Sequence, residues 1–473
     1  MKTLLLLPAL LPTLVFAETA QPIQPPAPVF FDTDPADNMP SENLPESDQP
    51  APPAFSDGLT RGNSLEAQIN RAMLARDWPS LPPLLTQYEQ TPDYDTTLYR
   101  YALGALRRSQ MRHDEAVSLY RDILDEQPGL VYPRFDLGVM LFENKQYREA
   151  AEALQQAQAK LPPAMHRIAG QYLAAIQKAQ SWQPDISLQY EQTDNVNNAA
   201  DARTIDINGQ TWQKTADSLP QSVRGIRYGL GISREKNLRG NHFARLEAQG
   251  SGVHYWDNQE YNEQTLRLAA GYRFQNSRSA WGIMPFAEQN WLGGGRYSRV
   301  TGAGADYSRR LNNQWRLMFN GGQYWKRYQD ERIAARYNSR TPYLGATLLY
   351  AATPAWLLYG GLDWNHELTR ETEQASVRKG LRIGTVKTFS DGLGIRANLR
   401  YGRRTFDAPG LLVYEFKRKD HEYQANAALW HNKIQWKGLV PQLNFRYQKT
   451  DSNMSGFYSR KNTQWFMSVE KRF

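Results

Sequence analysis

The chain has 473 residues, a net charge of +8 and no cysteine. Its length accommodates two domains, and the absence of thiols excludes a disulfide framework, a cysteine-based metal site and a lipid on the mature N-terminus. Mean hydropathy is negative and no run of eighteen apolar residues occurs, which excludes a transmembrane helix but not a barrel of strands.

Met1–Ala17 reads as a signal peptide, with Lys2 as the positive start, Leu4–Phe16 as the apolar core and Val15-Phe16-Ala17 before the cut. Cleavage ahead of Glu18 would deliver the chain to the periplasm. Residues 18–60 hold eight acidic residues, no Lys or Arg and little apolar pattern, so a disordered Pro/acidic linker is expected there. This acidic segment precedes a basic body. It reads as a solvated tether, or as a flexible segment able to visit a basic lumen.

From 61 to 181 the apolar residues recur with a period near 3.6, and a repeat emerges. Leu103-Gly104, Ala116, Tyr120 and Pro128 return 34 residues later as Leu137-Gly138, Ala150, Leu154 and Pro162. This is the tetratricopeptide spacing, with small residues where two helices cross and a proline closing the unit. Repeats are expected at about 97–130 and 131–164, with a degenerate unit in 64–94 around Trp78 and Pro92. A capping helix over 164–181 would cover the last apolar face. By the usual repeat geometry Tyr101, Arg108, Tyr132, Phe135, Val139 and Phe142 line a concave client-binding groove. The aromatic members of that set read equally as core between repeats.

From 182 to 473 the period is two. Leu266, Leu268, Ala270, Tyr272 and Phe274 share one face, and Arg267, Ala269, Gly271 and Arg273 share the other. The segments run to about ten residues or more, the length a tilted strand needs to cross a bilayer. The polar face is rich in Arg and Gly, which suits a wet lumen. Tyr255-Trp256, Trp291, Tyr324-Trp325, Trp364, Trp430 and Trp436 at segment ends suit aromatic girdles. Together these features predict a transmembrane β-barrel rather than a soluble sandwich. Fourteen strands are expected, near 184–192, 222–234, 241–256, 260–275, 279–292, 296–310, 313–329, 340–351, 354–369, 377–390, 392–407, 419–433, 438–451 and 461–473. Connections such as 275–278 and 311–312 are short. Others, such as 193–221, 330–339 and 408–418, are long and are assigned to the outer face.

Arg227, Arg267, Arg273, Arg396, Arg400 and Arg446 fall on the lumen side, where a change to Ala is expected to leave folding largely intact. Trp465, Met467, Val469 and Phe473 share one face of the last strand and resemble the C-terminal signal read by the barrel-assembly machinery. Lys471 departs from the usual apolar choice on that face.

No Walker loop, H-E-x-x-H or G-x-S-x-G is present, Gly293-Gly294-Gly295 reads as a turn, and the seven histidines are scattered. No enzyme, cofactor or metal site is therefore expected. The basic residues read as lumen and headgroup contacts rather than a nucleic-acid surface.

The expected fold is thus a two-domain chain, an N-terminal α-solenoid followed by a 14-stranded antiparallel transmembrane β-barrel. That order of parts resembles the surface lipoprotein assembly modulator (Slam) family of Gram-negative bacteria over most of 61–473. The likeness is carried by Leu141-Phe142-Glu143-Asn144-Lys145-Gln146, by Lys417-Arg418-Lys419-Asp420-His421-Glu422 leading into Leu429-Trp430-His431, by Trp436-Lys437-Gly438-Leu439-Val440-Pro441-Gln442-Leu443, and by the final Arg472-Phe473. The resemblance implies an outer-membrane protein with its repeats in the periplasm, exporting client lipoproteins, often for iron or haem acquisition, to the cell surface. It implies client surface lipoproteins and outer-membrane lipids as partners, with the barrel-assembly machinery as a candidate third. No catalytic residue carries over. A polysaccharide exporter and a porin or receptor stay open as alternatives. The first would be expected to show many more repeats, and the second leaves the repeats unexplained.

Overall fold

The protein is described here by a computed structural model covering residues 64–207, 210–410, 415–436 and 439–471. The signal peptide, the linker up to 60 and Phe473 lie outside the described residues.

Capping side chains set where helices begin. Ser64 Oγ accepts from the backbone N–H of Ala67 at 3.2 Å and Asp95 Oδ1 from that of Thr97 at 2.8 Å, each satisfying a donor that the first turn leaves over. The helices are α1 (Leu65–Leu74), α2 (Leu81–Glu89), α3 (Thr96–Ser109), α4 (His113–Glu126), α5 (Val131–Glu143), α6 (Tyr147–Gln158) and α7 (Pro163–Ala179). The 34-residue repeat has a steric cause. A Cβ on Gly104 would lie 2.4 Å from the Tyr120 ring, and one on Gly138 would lie 2.6 Å from Leu154 Cγ. Each glycine therefore lets the paired helices α3/α4 and α5/α6 cross closely, over the fully buried Ala116 and Ala150. The turns inside the two pairs also match, with Met111 (φ 57) and Lys145 (φ 67) both left-handed.

The strands are β1 (Gln183–Thr193), β2 (Thr204–Ile207), β3 (Gln210–Gln213), β4 (Val223–Arg239), β5 (His242–Tyr255), β6 (Glu263–Gln275), β7 (Ser279–Leu292), β8 (Gly295–Arg310), β9 (Trp315–Tyr328), β10 (Ser339–Thr353), β11 (Trp356–Thr369), β12 (Ser376–Thr388), β13 (Leu393–Phe406), β14 (Lys419–His431), β15 (Leu439–Ser452) and β16 (Arg460–Lys471). β1 and β4–β16 close into one antiparallel barrel of fourteen strands, as the alternation predicts, with β1 between β4 and β16. β2 and β3 form a separate hairpin in the long connection after β1. The connection at 330–339 also has structure of its own, the short helix α8 (Glu331–Tyr337) capped by Asp330. β6 starts three residues later than expected because Gln259–Tyr261 form a 3₁₀ turn capped by Asn258.

One end of the barrel carries the chain's entry from α7 and short turns such as 240–241 and 276–278; the other carries most of the long loops. The outer wall is apolar and uncovered, with Leu230, Leu268, Leu344, Leu362 and Leu399 all more than half exposed. Every backbone group inside a bilayer must be paired within the protein, and a closed barrel with such a band achieves this. The girdle assignment needs three corrections. Tyr255, Tyr324 and Trp430 are buried at 4–8% exposure, because each has the parity of an inward neighbour such as Val253, Lys326 or Ala428. Trp256, Trp325 and Trp436 are the exposed ones.

Candidate functional site at the helix–barrel junction

The helical domain is fixed to the barrel by a set of buried amides. The turn between α5 and α6 (Asn144-Lys145-Gln146) sits against the β4–β5 and β6–β7 turns. Gln146 Nε2 donates to Asn241 Oδ1 at 3.0 Å, and Asn241 Nδ2 donates to the carbonyls of Asn144 (2.5 Å) and Gln275 (2.8 Å). Asn144 Oδ1 accepts from the Ser277 N–H at 3.2 Å, while its Nδ2 donates to Asp114 on α4 at 2.7 Å. At the start of α6, the Arg148 N–H donates to Asn237 Oδ1 at 3.0 Å, and Glu149 Oε1 accepts from the Gly240 N–H at 2.8 Å. Gln180, just past α7, accepts from Asn237 N through its side chain (3.1 Å) and from Arg234 Nε through its carbonyl (2.9 Å). Tyr147 packs edge-on against Phe243 with ring centres 5.8 Å apart. Asn144, Asn237, Asn241 and Phe243 are all under 9% exposed, so water competes little for these bonds.

The groove assignment is largely overturned. Tyr101, Phe135, Val139 and Phe142 are buried at 2–6% exposure in the core of the helical domain. The cause is that α5 packs over Tyr101 and Arg108 of α3, and α7 over Phe135 and Phe142 of α5. Tyr172 of α7 stands edge-on to both Phe135 (6.4 Å) and Phe142 (5.4 Å). Arg108 is spent internally, its Nε donating to Glu143 at 2.8 Å. Tyr132 is half-buried against the same core. Tyr101 donates its hydroxyl to Asp136. Burial raises the Asp136 carboxyl to about 6, against the opposing pull of the Tyr101 bond and Arg108. Burial also opposes ionisation of Glu143, but the His113 bond and Arg108 outweigh it and hold Glu143 at about 2.

Inside the barrel, the six chosen arginines lie on the face opposite the exposed leucines, and several are held rather than free. Arg227 pairs with Glu191 (2.5 Å), Arg267 with Glu288 (3.6 Å), Arg273 with Glu235 (3.5 Å) and Arg400 with Asp363 (4.0 Å). Arg267 also stacks on Phe286 at 3.8 Å, and Arg396 and Arg446 lie over Trp430 and Phe466. The lumen wall is therefore laced with ion pairs, and Glu288 is 2% exposed. The expectation that any inward Arg tolerates Ala does not extend to Arg267, whose loss would strand that carboxylate. At the last strand Trp465, Met467 and Val469 are all exposed on the outer face.

Sequence reasoning missed Asn144, Gln146, Asn237 and Asn241. Periodicity weights apolar positions, and these are amides in turns or, for Asn237, near the end of β4. One usable signal was available, since Asn144-Lys145-Gln146 belongs to the stretch singled out in the second repeat.

Comparison with known proteins decides the family. A profile described as surface lipoprotein assembly modifier matches residues 182–473. The chain belongs to this family. A second profile, for the family's N-terminal tetratricopeptide repeats, matches residues 58–154. Surface lipoprotein assembly modifier 1 of Haemophilus influenzae is 29% identical over 85% of this chain and 83% of its own length. The family member of Pasteurella multocida is 28% identical over 85% and 81%. A protein of Acinetobacter baumannii named hemophilin secretion modulator is 24% identical over 87% and 86%. With its closed barrel and apolar outer band, this family member is an outer-membrane protein.

Proposed function

We propose that this protein moves client lipoproteins across the outer membrane and displays them at the cell surface. On this reading the helical domain lies in the periplasm and takes up the client, and the barrel lets it cross without a catalysed chemical step. The partners are client surface lipoproteins, of the iron- or haem-acquisition class that the family resemblance implies, and the surrounding lipids. The barrel-assembly machinery would read the outward Trp465–Val469 face when the chain itself is inserted. The observation that carries the reading is the junction. Asn144 and Gln146 bond Asn241 and Ser277, so the helices are held against the barrel mouth, where a receptor or porin has no use for them. Because the supposed groove is filled, capture would use the outer surface of the domain.

The test is removal of residues 61–181 from cells expressing a cognate lipoprotein, with protease shaving of intact cells as the readout. The barrel should still fold, shown by heat-modifiable migration, while display of the client is lost. Full display from the barrel alone would overturn the receiving role.

A further inference from the structure

The barrel wall closes unevenly. Among the described residues β1 meets β16 in register over three residues, Ser187–Gln189 against Ser468–Glu470. Every other neighbouring pair is registered over eleven to fourteen residues. Towards the long loops the two strands are fastened again, by Asn462 Nδ2 donating to Thr193 Oγ1 at 3.0 Å and Asp201 N–H to the Ser459 carbonyl at 3.1 Å. Between these fastenings Tyr190–Gln192 and Thr463–Met467 have no ladder partner across the seam. Three residues of β1 lie there opposite five of β16, so the strands cannot zip together without a change of register.

A second observation marks the same place. Gln189 Nε2, Asn462 Oδ1 and Gln464 Oε1, on the inward side of the seam, are buried without a hydrogen-bond partner. The outward side chains, Leu188, Tyr190, Trp465 and Met467, are exposed. Behind the seam the inward positions Ser187, Gly229, Gly231 and Ser468 carry small side chains or none, which leaves room in the lumen. An unpaired strand edge is not tolerated in hydrocarbon, and what satisfies it must supply backbone donors and acceptors at strand spacing.

We propose that the β1–β16 seam is where the client inserts, as one extended strand added to the edge of β16. This rests on the export function proposed above. The inserted segment would alternate apolar and polar residues. Its backbone would complete the ladder of Thr463–Met467, its polar side chains would meet Gln189, Asn462 and Gln464, and its apolar ones would continue the lipid face. A lipid lacks the alternating donors and acceptors. Among the described residues a second copy of this chain offers as strand edges only the same seam and the four-residue strands of the β2–β3 hairpin.

The chain has no native cysteine, so the seam can be locked selectively. In full-length protein, Ser187→Cys with Glu470→Cys, a facing pair, and Asp201→Cys with Ser459→Cys would pin both fastenings on oxidation. Display of the client should then fall to the level of cells lacking the chain and recover on reduction. A photo-crosslinking residue at Tyr190 or Met467 should capture the client, whereas one at Leu348 on the opposite wall should not. Equal display from oxidised and reduced cells, equal capture at Leu348, or an adduct of two copies of this chain would overturn the proposal. Undiminished display in cells lacking the chain altogether would instead overturn the export function.

Discussion

The two domains treat the same kind of side chain in opposite ways. In the helices, Phe135, Val139 and Phe142 fall below 7% exposure; on the barrel wall, Leu268, Leu344 and Leu362 exceed 50%. The difference teaches which solvent each domain meets. Water forces the helices to close over their apolar faces, even at positions where longer solenoids leave a groove. The bilayer lets the strands turn theirs outward and pushes charge to the inside, where it must be neutralised.

The sharpest way to break this comparison is to truncate a buried ring. Phe135→Ala should destabilise the helical domain by about 3–5 kcal/mol. This would be read as loss of the helical transition in far-ultraviolet circular dichroism of the full chain in detergent, with the strand signal retained. Arg267→Ala should cost the barrel a similar amount, about 3–5 kcal/mol, because Glu288 is left buried and unpaired. Urea titration in phospholipid vesicles would measure it, and Glu288→Gln in the same chain should recover much of the loss. Leu268→Arg, which charges the lipid face, should cost about 2–4 kcal/mol near the midplane in the same titration. If Arg267→Ala proves silent while Leu268→Arg is costly, the lumen is wetter than its ion pairs imply.

The smallest effect concerns pH. Asp136 sits at about 6 in the fold, above its ordinary value of 3.8, so its stabilising contribution is full below pH 3.8 and is lost as pH rises from there through 6. Glu143 sits at about 2, below its ordinary 4.5, so its contribution is present above 4.5 and lost as pH falls towards 2. The helical transition should therefore be most stable between these limits. Asp136→Asn should flatten the decline between pH 3.8 and about 6 and leave the loss below 4.5 that comes from Glu143 unchanged, as thermal melts across pH would show.

The barrel was legible because a period of two held over ten or more residues fits a strand with one apolar face and does not fit a helix. Leu266 to Phe274 alone define a face. The repeat was legible because Gly104 and Gly138 answer to contacts with Tyr120 and Leu154 that only a small residue permits. The groove was misread because sequence offsets say which residues share a helix face, not what the next helix lays over it; Tyr172 supplies the cover. The seam was hidden for a related reason. Strand composition does not show that β1 and β16 meet out of phase.

Asn144 touches three elements at once: its side chain meets Asp114 on one helix and Ser277 on a barrel turn, and its backbone carbonyl accepts from Asn241 on another. Mechanically this is a clamp at the root of a lever. A pull on the helices cannot be absorbed by a swivel at the root, and is delivered as a load on the turns joining β4 to β5 and β6 to β7. β4 is the neighbour of β1, so torque applied at the arm reaches the stretch of wall that, among the described residues, has the fewest ladder pairs to resist it.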